Sequence, residues 1–197
     1  LGAVGRTQEG EVGAALRALS ANPKDEAAIE VLAKSPEFVG TTRTTCVATM
    51  LDAGHAENAL PQKAKATVNC RIFPGVAVET VRDTIASTIA DPAIAIATLQ
   101  DPQASPVSEV RDDVMSAIAA SVHETYPNVP VVPYLESGAT DGKVYRTAGI
   151  PTFASSGLFA KPSEMFAHGL NERLPVRAFY EGLDHIHDLA VKLGEAH

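Results

Sequence analysis

Apolar residues recur at helical spacing through the first third of the chain: Val12, Ala15, Leu16 and Leu19, then Ala28, Leu32 and Ala33 after an Asn22-Pro23 break. Steps of three and four put each set on one face, so two helical pieces are predicted. At Thr41 the texture changes. TTRTTCVATML is rich in β-branched residues, DAGHAEN has turn composition, and KAKATVNCRIF closes on Pro74-Gly75. The three together predict an antiparallel hairpin with a long loop. Val78, Val81, Ile85 and Ile89 then predict an amphipathic helix, and the alternation in AIAIATL predicts a further strand.

That order, helix, strand, strand, helix, strand, is one strand short of a βαββαβ unit, whose four-stranded antiparallel sheet carries both helices on one face. The absent strand would precede Leu1. Two prolines among small polar residues make DPQASPVSE the best linker. Beyond it come a helix with Val110, Val114, Ile118 and Val122 on one face, a short strand VPVVPYL, a glycine-rich turn ESGATDG, a helix, a strand PTFAS, a long loop and a last helix from Pro175. Alternating helices and short apolar strands predict part of an α/β domain with a mostly parallel sheet. The expected division is residues 1–103, α+β, and residues 104–197, α/β. Both parts are incomplete, and LGAVGRTQEG has no initiating Met, so the chain is expected to begin inside a longer gene product.

Charge and composition narrow the partners. The 197 residues carry a formal charge of -8, with Lys and Arg dispersed, which leaves no basic footprint for nucleic acid or an anionic membrane. No apolar run approaches the roughly 20 residues of a membrane span. The pattern is that of a soluble protein of cytoplasm or periplasm, whose partners are small solutes or other proteins. Cys46 and Cys70 fall in neighbouring extended segments and could face each other; free buried thiols are the favoured reading, since cysteine packs as a small hydrophobe.

Four groups could carry chemistry. Asn58 in the hairpin loop and Arg71 on the returning strand could bind a carboxylate, the guanidinium offering a planar fork and the amide a neutral donor; equally, Asn58 shapes the loop and Arg71 is a solvated charge. The turn from Ser137 to Lys143, containing Gly138, exposes backbone N–H groups of the kind that hold an oxyanion, or it is a plain strand-to-helix turn capped by Asp141. His168, in AHGLNERL, is a zinc donor type with a carboxylate, Glu172, close by, or an ordinary loop histidine. The last helix carries Asp184-His185-Ile186-His187-Asp188, but residues two apart on a helix face different sides, so its two imidazoles do not chelate one ion. His185 is expected on the solvated face with Glu181 and Asp188, and His187 beside an apolar stripe of Phe179, Leu183, Ile186 and Ala190. No nucleophile motif surrounds Ser137, Ser155 or Ser156.

GHAENALPQKAKATVNCRIFPG, SGATDGKVYRTAGIP and AHGLNERLPV, in this order and at these intervals, resemble the dinuclear-zinc metallopeptidase family of aminoacylase, acetylornithine deacetylase, succinyl-diaminopimelate desuccinylase, glutamate carboxypeptidase and carnosine dipeptidase (peptidase family M-twenty). The likeness covers nearly the whole chain but only about the second half of the family's architecture. It implies a ferredoxin-like lid or dimerisation domain lacking its first strand, then the C-terminal part of the catalytic domain. His168 would bind one of two zinc ions, other divalent metals being compatible, and Glu172 would support its loop. Asn58 and Arg71 would bind the carboxylate or carbonyl end of a dipeptide or N-acyl amino acid, and Gly138 would line the pocket. Lys143 stands where some relatives place an arginine; it keeps the charge and loses the fork. A homodimer through the edge strand from Thr41 to Met50 is implied as well. The family's H-x-D segment, bridging Asp and adjacent Glu pair do not occur here, and His55 lies in a different loop from the family's lid histidine. The general base is therefore expected upstream, and the chain alone is expected to be inactive. A non-catalytic dimerisation module is the competing expectation.

Overall fold

The structure, a computed structural model, describes residues 1–100 and 102–195; Asp101, the first residue of the expected linker, and Ala196 and His197 lie outside the described residues. The elements run α1 (Gly2–Thr7), α2 (Gly10–Ala21), α3 (Glu26–Ala33), α4 (Val39–Thr42), β1 (Thr45–Ala53), β2 (Ala64–Arg71), α5 (Val78–Ile89), α6 (Asp112–Thr125), α7 (Gly142–Thr147), a 3₁₀ turn (Pro162–Glu164) and α8 (Val176–Glu195). They divide into two compact units. The first joins Leu1–Val107 to Tyr134–Ile150, and the second joins Ser108–Pro133 to the described residues from Pro151 on.

The two predicted helical pieces form as α2 and α3. Asn22 closes α2 with its amide on the Ala18 carbonyl, 2.8 Å, and Asp25 opens α3 with its carboxylate on the Ala28 amide, 2.9 Å. Such a cap satisfies one of the amides that a first turn leaves unpaired. The apolar faces meet around Leu16 and Leu32, both fully buried, with Ala15, Leu19, Ala28 and Phe38 completing the core of the first unit. Gly5 lets α1 approach closely, since a Cβ there would lie 2.9 Å from the Leu16 Cβ. Thr41 and Thr42, read as the start of a strand, belong instead to α4, where both hydroxyls donate to the Phe38 carbonyl. A threonine that finds a local carbonyl has an alternative to the ladder.

The hairpin forms as β1 and β2, antiparallel, from Thr45 opposite Arg71 to Ala53 opposite Ala64, with an irregularity between Ala48 and Met50. Cys46 faces Cys70 directly and the two form a disulfide. This corrects the expectation of free buried thiols: Cys46 is exposed and Cys70 half-buried, and register rather than burial decides the pair.

Three predicted strands do not form among the described residues. AIAIATL alternates correctly, but no strand lies beside it and a strand exists only through its partner's hydrogen bonds. In VPVVPYL, Pro130 and Pro133 withdraw two ladder donors. PTFAS is not assigned as a strand; its Thr152 amide donates to the Ser108 hydroxyl at 2.9 Å, and that hydroxyl donates to the Thr152 carbonyl at 3.0 Å. The sheet is thus two-stranded and antiparallel, and neither the four-stranded lid sheet nor the parallel catalytic sheet is present in the described residues.

In the second unit α8 packs along α6 and the segment around Gly157. The buried face of α8 is Ala178, Gly182, His185 and Leu189, whereas Phe179, Leu183 and Ile186 of the expected stripe are about half exposed. Both sets obey the same spacing, one residue apart. The small set wins because the backbone at Gly157, φ 62°, comes so close that a Cβ on Gly182 would meet the Gly157 carbonyl oxygen at 2.6 Å.

Candidate functional site

The hairpin holds Asn58 at its turn and Arg71 at the end of β2, both exposed. Because side chains alternate across a strand, Arg71 and the neighbouring Cys70 leave opposite faces. Gly138 is exposed, and its amide is occupied by its own chain: it donates to the Glu136 carboxylate at 3.1 Å. Asp141 stands at the N-terminus of α7 without a side-chain cap, and the Lys143 amide donates to the Thr140 carbonyl at 3.1 Å. The Lys143 side chain is half-buried.

His168 sits in the second unit at the tip of a turn, exposed, with a left-handed backbone, φ 63°. A residue other than glycine in that region is uncommon and is a reason to look for function. The conformation is held locally. The His168 amide donates to Glu172 Oε1 at 3.2 Å, the Glu172 amide donates to the Gly169 carbonyl at 3.2 Å, and the Arg173 guanidinium lies 3.3 Å over the Phe166 ring. Of the six expected site residues, the structure therefore joins His168 and Glu172 directly. Asn58, Arg71, Gly138 and Lys143 belong to the first unit, and no hydrogen bond or ion pair among the described residues links the hairpin pair to Lys143. No three His, Cys, Asp or Glu side chains converge on a metal site among the described residues. A catalytic zinc takes about three protein donors, so the residues present fit the metal only as one donor, His168.

One polar centre escaped the sequence reading. His185, expected on the solvated face, is 4% exposed, with Nδ1 2.9 Å from the Ser121 hydroxyl of α6 and Nε2 2.9 Å from the Ser155 hydroxyl. Phe159 meets it edge-on at 5.4 Å. Burial lowers the imidazole's pKa below its usual value, opposed by the nearby Asp188 carboxylate. A second network surrounds Tyr126. Its hydroxyl donates to Glu181 at 2.6 Å, and Arg177 donates to that hydroxyl, to Glu181 and to the Phe159 carbonyl at 3.0, 2.9 and 3.3 Å. The Glu181 hydrogen bond holds the Tyr126 phenol above its ordinary range. The signal for His185 was the spacing of Ala178, Gly182, His185 and Leu189; its partners, 64 and 30 positions away, had none.

Comparison with known proteins adds the decisive observation. Residues 11–97 match the peptidase dimerisation domain of the M20 peptidases. The chain carries the dimerisation domain of the M20 peptidase family. N-fatty-acyl-amino acid synthase/hydrolase PM20D1 of Mus musculus is 28% identical over 153 residues, 76% of this chain and 30% of that protein. The probable carboxypeptidase S-like 2 of Dictyostelium discoideum is 26% identical over 161 residues, 81% and 31% respectively. The PM20D1 protein of Xenopus tropicalis is 30% identical over 152 residues, 75% and 29%. The chain thus spans about a third of the length of these curated relatives. No solved structure matches it significantly. The family read from the three motifs is borne out, and with it the dimerisation domain. No helix among the described residues is long and apolar enough to cross a membrane.

Proposed function

We propose that this M20 chain is the lid and the C-terminal part of the catalytic domain, divided near residue 103, of a zinc-dependent hydrolase that cleaves the amide bond of an N-acyl amino acid or dipeptide. The carrying observation is the reach of the similarity: the curated relatives, named as an N-fatty-acyl-amino acid synthase/hydrolase and a carboxypeptidase, align over three quarters or more of the chain, well beyond the dimerisation domain. In this reading the lid is ferredoxin-like once its first strand is supplied from outside the chain. Arg71 and Asn58 grip the substrate carboxylate or carbonyl, charge-assisted bonds of this kind contributing roughly 1.5 to 3 kcal/mol each. Gly138 and Lys143 line the substrate pocket. His168 is the one metal donor from this chain, and Glu172 positions it by holding its backbone amide. Zinc, when bound, supplies Lewis acidity and an activated water. The remaining donors and the general base lie outside the chain, so the chain alone has no turnover.

The test uses the protein together with its upstream half. Arg71→Ala is expected to raise KM for an N-acyl amino acid about tenfold or more, and His168→Ala to abolish stoichiometric zinc binding. Zinc-dependent turnover by the isolated 197 residues, or an unchanged KM in Arg71→Ala, overturns the reading. A second reading, a dimerisation module without catalysis, is favoured by the bare apolar side chains of β1, Val47, Met50 and Leu51, on a strand whose outer edge is free to pair. It predicts that Asn58→Ala and Arg71→Ala leave catalysis untouched while edge substitutions dissociate a homodimer.

A further inference from the structure

The disulfide lies in a hairpin that, among the described residues, has little besides its own ladder to hold it. From Cys46 to Ala53 every residue of β1 is exposed, β2 is exposed except at Thr67 and Cys70, which are half-buried, and the sheet has only these two strands. A two-stranded hairpin is at best marginally stable in water. Besides the ladder and the bridge, two threonine hydroxyls tie it among the described residues: Thr49 donates to the Thr67 carbonyl at 3.3 Å, and Thr44 accepts from the Phe73 amide at 2.9 Å. Cys46 and Cys70 enclose a loop of sequence separation 24. Asn58 sits near its middle, and Arg71 follows Cys70 directly. The single covalent tie of the hairpin therefore stands beside one candidate substrate residue and spans the other. Cys46 also lines an open groove of about 390 Å³ against Thr80, Val81 and Thr84 of α5, so a thiol reagent can enter from that side.

We propose that the Cys46–Cys70 cystine is a site of thiol–disulfide exchange that governs whether the hairpin presents Asn58 and Arg71 to a substrate carboxylate. The reagent is a dithiol, small or protein-borne. One of its thiolates attacks a sulfur of the cystine; the S–S bond breaks as a mixed disulfide forms, and the second thiol resolves it. The cystine takes up two electrons and two protons, the hairpin keeps two thiols, and the dithiol leaves as a disulfide. The oxidised form holds the two strands in register and the loop closed. The reduced form releases the loop ends and lets the strands fray. This rests on the reading of Asn58 and Arg71 as substrate residues, and the experiment separates the two.

Amide hydrogen exchange of the whole chain, with and without dithiothreitol, reads the first step. The untreated chain is expected to show no titratable thiol. Reduction should speed exchange in Thr45–Ala53 and Ala64–Arg71 by about tenfold or more and leave α2 and α3 unchanged, as expected where opening is local. The Cys46→Ser/Cys70→Ser double variant should exchange fast in both conditions. Strands equally protected after reduction, or thiols that titrate without it, overturn the proposal. The second step is read in the catalytically complete protein: reduction should raise KM several-fold with a smaller change in kcat, an effect absent from the double variant. If Arg71→Ala raises KM and reduction does not, the exchange site has no hold on binding and the proposal fails. If Arg71→Ala leaves KM unchanged as well, the failure lies with the substrate reading.

Discussion

The helical cluster α1–α4 and the β1–β2 hairpin are adjacent stretches of one unit with opposite means of support. The cluster hides Leu16 and Leu32 completely behind four further apolar residues. The hairpin leaves Met50 67% and Leu51 81% exposed and relies on its ladder and one disulfide. Stability in this half of the chain is concentrated where no chemistry is expected, and the candidate substrate residues Asn58 and Arg71 sit on the part with least burial. That division suits a binding element, because segments that must adjust to a ligand come from the less stable end of a fold.

The sharpest way to break the contrast is a matched pair of truncations. Leu16→Ala is expected to cost about 3 kcal/mol, the usual loss for a fully buried leucine, measured by urea unfolding. Leu51→Ser on the hairpin is expected to stay within about 0.5 kcal/mol; equal losses would show that the hairpin has a hidden core. The second unit offers a packing test of intermediate size. Gly182→Ala is expected to cost about 2 kcal/mol, because its methyl has no room beside the Gly157 carbonyl; an unaffected midpoint would mean that the two backbones move apart freely. Asp25→Ala should remove about 1 kcal/mol from the cluster through its lost cap, read as faster amide exchange at Ala28.

The smallest effect is a slope with pH. His185 has its pKa lowered by burial from 6.5, so the unfolded chain takes up a proton at higher pH than the folded one. The linked stability is complete above pH 6.5 and declines as pH falls from there through the folded value. The groups that face His185 are Ser121 from α6, Ser155 from the preceding loop and Asp188 from its own helix. A His185→Gln variant should lose that slope in urea titrations between pH 7 and pH 5, and a wild-type slope in the variant would assign it to another group.

The sequence made legible whatever depended on periodicity within one segment. α2, α3, α5 and α6 form where the stripes containing Leu16, Leu32, Val81 and Val122 were read, α8 forms where the stripe of Phe179, Leu183, Ile186 and Ala190 was read, and the hairpin forms where β-branched runs flank a turn. It failed wherever the outcome depended on a distant partner. Ile94 and Ile96 alternate as a strand should, yet have no neighbouring strand, while His185 looked solvated because Ser121 and Ser155 could not be foreseen. On α8, size misled: Phe179 and Leu183 suggested the buried face, and the closeness of Gly157 selected Ala178 and Gly182. The candidate site was legible as chemistry and not as geometry. His168 and Glu172 were paired by spacing and are joined by a hydrogen bond, but the left-handed backbone of His168 left no mark on the residue pattern beyond the neighbouring Gly169.

The contact between Ser121 and His185 has a consequence for biosynthesis. Sixty-four residues separate them, so at roughly 5 to 20 residues per second the ribosome delivers His185 about 3 to 13 seconds after Ser121. Throughout that interval α6 is a nascent helix whose hydroxyl and apolar face have no docking partner. The contact forms only when α8 has followed α6 out of the exit tunnel.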